Sequence, residues 1–193
     1  MPLNSLAAPY YLSDLERFEQ GDILRDVTLV EWAEVSGSDL EIRERVLPYC
    51  VVLSQDCDLE HDFNNRADQA RKDCDKFLQS VLLCPAYPAP TFREGAHLSA
   101  ENLPMSRISS EAWKKLSQNN TTRYHFLAGN ADMQIPDLVV DFKHYLTAPR
   151  DVLYRKAYHD RRLATIEIVY RDNLSGRFAH YLSRIGLPEL SAA

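Results

Sequence analysis

The period of apolar and polar positions changes several times along the chain, and each change marks an element. Leu12, Leu15 and Phe18 form a stripe at helix spacing, and Ser13 and Glu16 are placed as a capping box. Residues 1–20 therefore read as an arm that closes in a short amphipathic helix, ended by Gly21-Asp22. ILRDVTLVEWAEV (23–35) has the β-branched and aromatic composition of one or two strands, and SGSD (36–39) is a turn. LEIRERVLPY (40–49) alternates apolar and charged residues, as a half-exposed strand does, until Pro48 interrupts it. Cys50–Leu53 is unbroken apolar sequence, which predicts a central strand covered on both faces.

Residues 56–76 are polar and predict a loop or an exposed helix. FLQSVLLCP (77–85) predicts a strand stopped by Pro85. Four prolines between 85 and 110 (Pro85, Pro88, Pro90 and Pro104) leave little room there for regular structure. Ser110 is placed to cap a small helix, EAWKKLSQ, with Trp113 and Leu116 on one face. RYHFLA (123–128) and DLVVDFKHYL (137–146) predict two more strands. Leu163, Ile166, Tyr170, Leu174, Phe178, Tyr181 and Ile185 then recur at three or four residues, which predicts helix, with a break near Asp172-Asn173 and a stop at Gly186 and Pro188.

The expected class is α+β, mostly β with helices. A 1–20 arm precedes a 21–150 domain built on a small, strongly bent sheet or barrel. Polar insertions lie at 58–76 and 86–122, and a C-terminal helical segment (151–193) packs on the barrel.

Composition fits this picture. The 193 residues are 45% apolar and 26% charged, as in a globular protein with a real core. The net charge of −6 is uneven: residues 151–193 carry seven Lys/Arg against five acids, and residues 1–150 carry 15 against 23. Bulk charge therefore does not attract nucleic acid, and any such contact requires a local patch. No apolar run is long enough to cross a membrane, and the N-terminus does not read as a secretory signal. Four cysteines are too few for a disulfide scaffold at this length, so reduced thiols and a cytoplasmic location are expected.

The richest chemistry lies in SQDCDLEH (54–61), at the mouth of the predicted central strand. Asp56 and Asp58 have the residue type of a general base or cation ligand. Cys57 and His61, in C-x₃-H spacing with Cys74 or Cys84 as further ligands, have the residue types of a zinc site, although no C-x₂-C pair accompanies them. The plain alternative is a turn whose acids cap a following helix, with Cys57 packed as a small apolar residue. No other cofactor is indicated. Arg123 and His125 fall on one face of a strand by alternation, a face suited to phosphate or a base. Arg161 and Arg162, with Arg155 and Lys156, form the one basic cluster. No P-loop, dinucleotide fingerprint, zincin motif or nucleophile elbow occurs.

Four landmarks occur in order: Gly21-Asp22-Ile23-Leu24, Leu47-Pro48 followed by VVLS (51–54), SVLLCP (80–85), and LVVDFKHYLTAPRDVL (138–153). Together they resemble the MazF/PemK toxin superfamily, over about residues 20–170 with the two insertions. The resemblance implies an SH3-like β-barrel, a toxin–antitoxin or phage-defence setting, and endoribonuclease activity on RNA. The family's arginine before the proline is Leu47 here, and Tyr87 stands where its Thr is expected. Arg45, on the same strand, is the nearest replacement cation, beside Arg43. The expected function is thus nucleic-acid binding by the barrel, with RNA cleavage through a remodelled site of Arg45, Asp56, Asp58 and His61. The alternative is a non-catalytic module that uses the barrel to hold a protein partner or a second copy.

Overall fold

The computed structural model describes residues 9–68, 70 and 73–184. Its strands are β1 (Tyr10–Tyr11), β2 (Asp22–Ser36), β3 (Asp39–Val52), β4 (Ser80–Pro88), β5 (Tyr124–Leu127), β6 (Leu138–Asp141), β7 (Leu146–Pro149) and β8 (Arg162–Ile166). They form one antiparallel sheet in the order β1-β8-β2-β3-β4-β6-β5, with β7 also paired to β4. The sheet curls into a half-barrel. The helices are α1 (Asp56–Ala67), α2 (Ala89–Arg93), α3 (Ser110–Ser117), α4 (Arg150–Leu153), α5 (Lys156–His159) and α6 (Ile168–Leu182), with single 3₁₀ turns at Ser99–Glu101 and Phe142–His144. The architecture is α+β, as the sequence pattern predicts. Among the described residues no helix is long and apolar enough to cross a membrane.

The predicted turn at 36–39 joins β2 and β3 through Gly37-Ser38, with Gly37 at φ 64°. Pro48 does not end β3. It lies across from Asp26, at φ 51°, and the pairing passes over this one step from Arg25↔Tyr49 to Val27↔Leu47. A residue with no N–H is thereby accommodated without loss of register. Val51 packs into one core layer and Cys50 and Val52 into another, so the central strand is buried on both faces. β4 likewise continues past Pro85, which sits opposite Cys50, to Pro88.

The prolines of the second insertion start a helix instead of preventing one. Pro88 is the N-cap of α2 and Pro90 lies in its first turn, where a missing N–H costs nothing. Ser109, one residue before the expected Ser110, caps α3 by accepting from the Ala112 amide. The stretch 137–146 is not one strand. Asp141 ends β6 and caps a 3₁₀ turn by accepting from the Lys143 amide.

Two expectations from helix periodicity fail. Residues 12–20 contain no helix, and the Ser13 hydroxyl accepts from the Leu15 amide in a local turn. Arg162–Ile166, counted with the C-terminal helical segment, is a strand between β1 and β2. Its three- and four-residue apolar spacing arises because a short strand runs directly into α6. That helix is unbroken at Asp172-Asn173. Ile185, Gly186 and Pro188 lie outside the described residues.

Three apolar layers make the core. Phe142, Phe178, Ile166 and Val51 fill the face under α6. Phe18, Leu59, Leu83 and Leu153 fill the opposite face, under α1 and α4. Tyr87, Phe92, Leu98, Leu116 and Val139 seal the 86–122 insertion onto the sheet. Buried acids tie these layers together. Asp62 on α1 is fully buried and accepts from Arg66 Nε (2.7 Å), Arg150 Nε (2.7 Å) and the Leu78 amide (2.8 Å). It thus joins α1, the entry to β4 and α4. Replacing Asp62 with Ala strands all three donors, so the expected loss is about 3 kcal/mol in urea denaturation. A loss below about 1 kcal/mol would remove Asp62 from this role.

Candidate functional site

The stretch at the mouth of β3, expected as a loop or an exposed helix, is the start of α1. Asp56 is engaged there in structure. Its carboxylate takes a bidentate pair from Arg17 (3.0 and 3.2 Å) and the Gln20 amide (3.2 Å), with Arg171 Nη1 at 3.7 Å. Burial alone would raise its pKa, but the Arg17 guanidinium holds it below the usual carboxylate range. It clamps the segment before β2 to α1 and α6. Asp58 and His61 are exposed on α1. Cys57 is also exposed, with Gln55 Oε1 at 3.8 Å and Asp58 Oδ1 at 3.9 Å. Cys84 is buried and its thiol donates to the Asp141 carbonyl, so it does not join Cys57. Among the described residues no three His, Cys, Asp or Glu side chains are grouped to hold a metal ion.

The expected nucleic-acid face is also taken up internally. Arg162 donates to the carbonyls of Arg17 (2.9 Å) and Leu15 (2.6 Å) and reaches the buried Asp22 at 3.5 Å. Arg161 donates to the Asp26 carbonyl. His125 is only 4% exposed and faces Phe142, on the α6 side of the sheet. Arg123 does not share that face. It lies just outside β5, and its guanidinium folds across to Asp141, so strand alternation does not apply to it.

A different constellation forms where β6 ends under the 86–122 insertion. Asp141 is fully buried and takes a bidentate pair from Arg123 (2.8 and 2.6 Å). Nδ1 of His144 lies 3.3 Å from Asp141 Oδ2. That is within pairing distance but off the line of a well-aligned hydrogen bond. Arg45, on β3, places Nε 2.9 Å from Glu101 Oε1 and donates from Nη2 to the Tyr87 hydroxyl at 3.3 Å. His97 stacks on Phe92 at 4.2 Å and packs against Tyr87 at 4.9 Å. Both of its ring nitrogens are buried without a hydrogen-bond partner.

The groups influence one another electrostatically. Burial lowers the pKa of His97, Asp141 opposes that shift, and the charge of His144 reinforces it. Burial also lowers His144, reinforced by Arg123 and Arg45 and opposed by Asp141. Burial pushes the Tyr87 hydroxyl up to about 12. The site therefore holds two imidazoles kept neutral near pH 7, one beside a fixed carboxylate, together with two guanidinium groups. This is the residue set for moving a proton next to an anion.

Of the sequence-predicted residues, the structure brings Arg45 and Arg123 to this site and leaves Asp56, Asp58, His61, His125, Arg161 and Arg162 elsewhere. It adds Tyr87, His97, Glu101, Asp141 and His144. Asp141 and His144 carried a signal, because DFKH repeats the D-x-x-H spacing of DLEH at 58–61. His97 and Glu101 carried none, since only the folding of the insertion brings them near. No family model, curated protein or solved structure matches this chain.

His125 sets a pH limit on the fold. Burial, with the nearby Arg177 charge, pushes its pKa down to about 3. Between about 6.5 and 3 the unfolded chain takes up a proton that the folded chain refuses. The stability contribution is complete above about pH 6.5 and is lost as pH falls toward 3, at about 1.4 kcal/mol per unit. Urea midpoints from pH 7 to 4 should therefore fall more steeply for the wild type than for His125→Phe. Parallel curves would contradict this account.

Proposed function

We propose that this protein is an RNA-binding endoribonuclease of MazF-like, SH3-like barrel type, whose site is the Asp141–His144–His97–Arg45–Arg123 cluster. One observation carries the reading: a buried carboxylate beside His144, with an unpartnered His97 and two arginines around them. The landmarks that resemble the toxin superfamily support the barrel type. They fall on β2, β3, β4 and the β6–β7 stretch, all members of the curled sheet.

In this mechanism Asp141 orients His144 through Nδ1 and leaves Nε2 to take the proton of an RNA 2′-hydroxyl. The 2′-oxygen bonds to phosphorus as the bond from phosphorus to the 5′-oxygen breaks. His97, in its protonated form and with its ring nitrogens uncovered as RNA binds, gives a proton to the leaving 5′-oxygen. Arg45, two residues from the Leu47 that stands where the family arginine is expected, faces the charge that builds on the phosphoryl oxygens. The products are a 2′,3′-cyclic phosphate and a 5′-hydroxyl, and no metal is needed.

The active form has one imidazole neutral and one protonated. Burial lowers both, so that form is most populated on the acid side of the usual histidine value of about 6.5. The test is a labelled single-stranded RNA incubated with the purified chain in EDTA. Cleavage should peak below about pH 6.5. His144→Ala and His97→Ala should each lower kcat by about 10²-fold or more with little change in urea midpoint. Arg45→Ala should lower kcat by about 10²-fold. Wild-type protein that neither cleaves nor retards the RNA at low salt would overturn the proposal.

A further inference from the structure

β2 and β3 are much longer than the sheet that holds them. β8 pairs with β2 only over Asp22–Leu24, and β4 pairs with β3 only from Tyr49 onward. Val30–Ser36 and Asp39–Val46 therefore stand out as a two-stranded arm whose outer edges are unpaired. The register puts Val35 opposite Leu40 and Ala33 opposite Ile42, and alternation along β3 adds Val46 to the same face. Val35 is 72% exposed, Leu40 61% and Ile42 50%. The other face carries Trp32, Glu34, Glu41 and Arg43. A row of large apolar side chains in water on an unsupported ribbon marks an interaction surface.

We propose that the arm is an exchange arm: in a homodimer, each copy lays its arm in the cleft at the base of the other copy's arm. The cleft has a volume of 660 Å³ and lies between the arm's root and the β7–α5 region. Leu29, Leu146, Pro149, Val152 and Tyr158 give it apolar walls, Glu31, Glu44 and Arg45 of the arm's root line it too, and Arg155 stands on its rim.

Charge selects this occupant. The arm carries Glu31, Glu34, Asp39, Glu41 and Glu44 against Arg43 and Arg45. Both arginines are already engaged, Arg43 with Glu31 at 3.1 Å and Arg45 with Glu101 at 2.9 Å. Glu34, Asp39, Glu41 and Glu44 have no ion pair among the described residues. An arm with that charge is repelled by the phosphates of a nucleic-acid groove. Two such arms packed face to face repel each other as well. Arg155 and the adjacent Lys156 are exposed and likewise have no ion pair among the described residues; with Glu31 paired to Arg43 and Arg45 to Glu101, they outweigh Glu44, and the cleft rim keeps an excess of positive charge. Because arm and cleft adjoin in each copy, one two-fold axis satisfies both arms at once, as an isologous contact requires. Arg45, at the arm's root, is shared with the Asp141 cluster, but the sedimentation test substitutes no residue of that cluster and reads mass, not activity.

Sedimentation of the full chain tests it, with far-UV circular dichroism as the check on folding. The wild type should sediment at twice the chain mass, and Val35→Asp combined with Ile42→Asp should be monomeric. Arg155→Glu with Lys156→Glu should weaken the dimer at least about tenfold, as should Glu34→Lys with Glu41→Lys. The chain carrying all four charge reversals should regain the dimer. A monomeric wild type, a dimer indifferent to Val35 and Ile42, or a four-fold variant no tighter than its parents would overturn the proposal.

Discussion

The bidentate pair between Arg123 and Asp141 fixes the part of the molecule on which the rest of the site depends. Asp141 is the last residue of a fully buried strand and has no contact with water. A bare carboxylate there would cost several kcal/mol. Arg123 and the Lys143 amide satisfy it, and in doing so they end β6, start the 3₁₀ turn and set where His144 stands. The strand could not end here with an apolar residue and still turn as it does. The same solution recurs at Asp62 and at Asp22. Asp22 accepts from the Thr165 hydroxyl at 2.6 Å and the Glu19 amide at 2.8 Å, yet burial still pushes its pKa up to about 6. Each of these acids lies at a strand end or helix face where two or three segments meet.

Much of the sheet was legible in the sequence because strand signals are local. The unbroken apolar run at Cys50–Leu53 and the SGSD turn need only nearest neighbours to be read. The errors also have local causes. Pro48 and Pro85 looked like strand ends because a proline lacks a donor, but the β2–β3 pairing passes over Pro48, and β4 continues through Pro85 opposite Cys50. Ser13 and Glu16 have the spacing of a capping box, yet the chain there is held by Arg162 through the carbonyls of Leu15 and Arg17, and that contact competes with helix. The five residues of β8 imitate helix spacing, and only their place between β1 and β2 separates the two periods.

The site was less legible, for a reason that follows from the folding of its parts. Its side chains come from β3, β4, the 86–122 insertion, the residue before β5, the end of β6 and the 3₁₀ turn after it. No short window of sequence contains more than two of them. D-x-x-H occurs twice, and the more conspicuous copy, in SQDCDLEH, is the one whose Asp58 and His61 stay in solvent. Its neighbour Asp56 is bound by Arg17, an arginine 39 residues away. Burial separates the two copies. Leu138–Val140 ahead of Asp141 are wholly buried, so that acid must be paired, whereas α1 carries Asp58 and His61 on its outer face.

The length of β2 and β3 has a consequence for how the molecule opens. Each strand begins or ends inside the core and runs out into water without interruption, so its two halves belong to different cooperative units. Amides of Ile23, Leu24, Val51 and Val52 lie under buried side chains and exchange only with global unfolding. In a single copy, amides past Glu31, where the β2–β3 register shifts between Val30 and Trp32, are held by one partner strand and no packing, so they fray on their own. Until a second copy covers it, the arm's hydrogen-bond ladder is thus free to open and re-form while the sheet that anchors it stays closed.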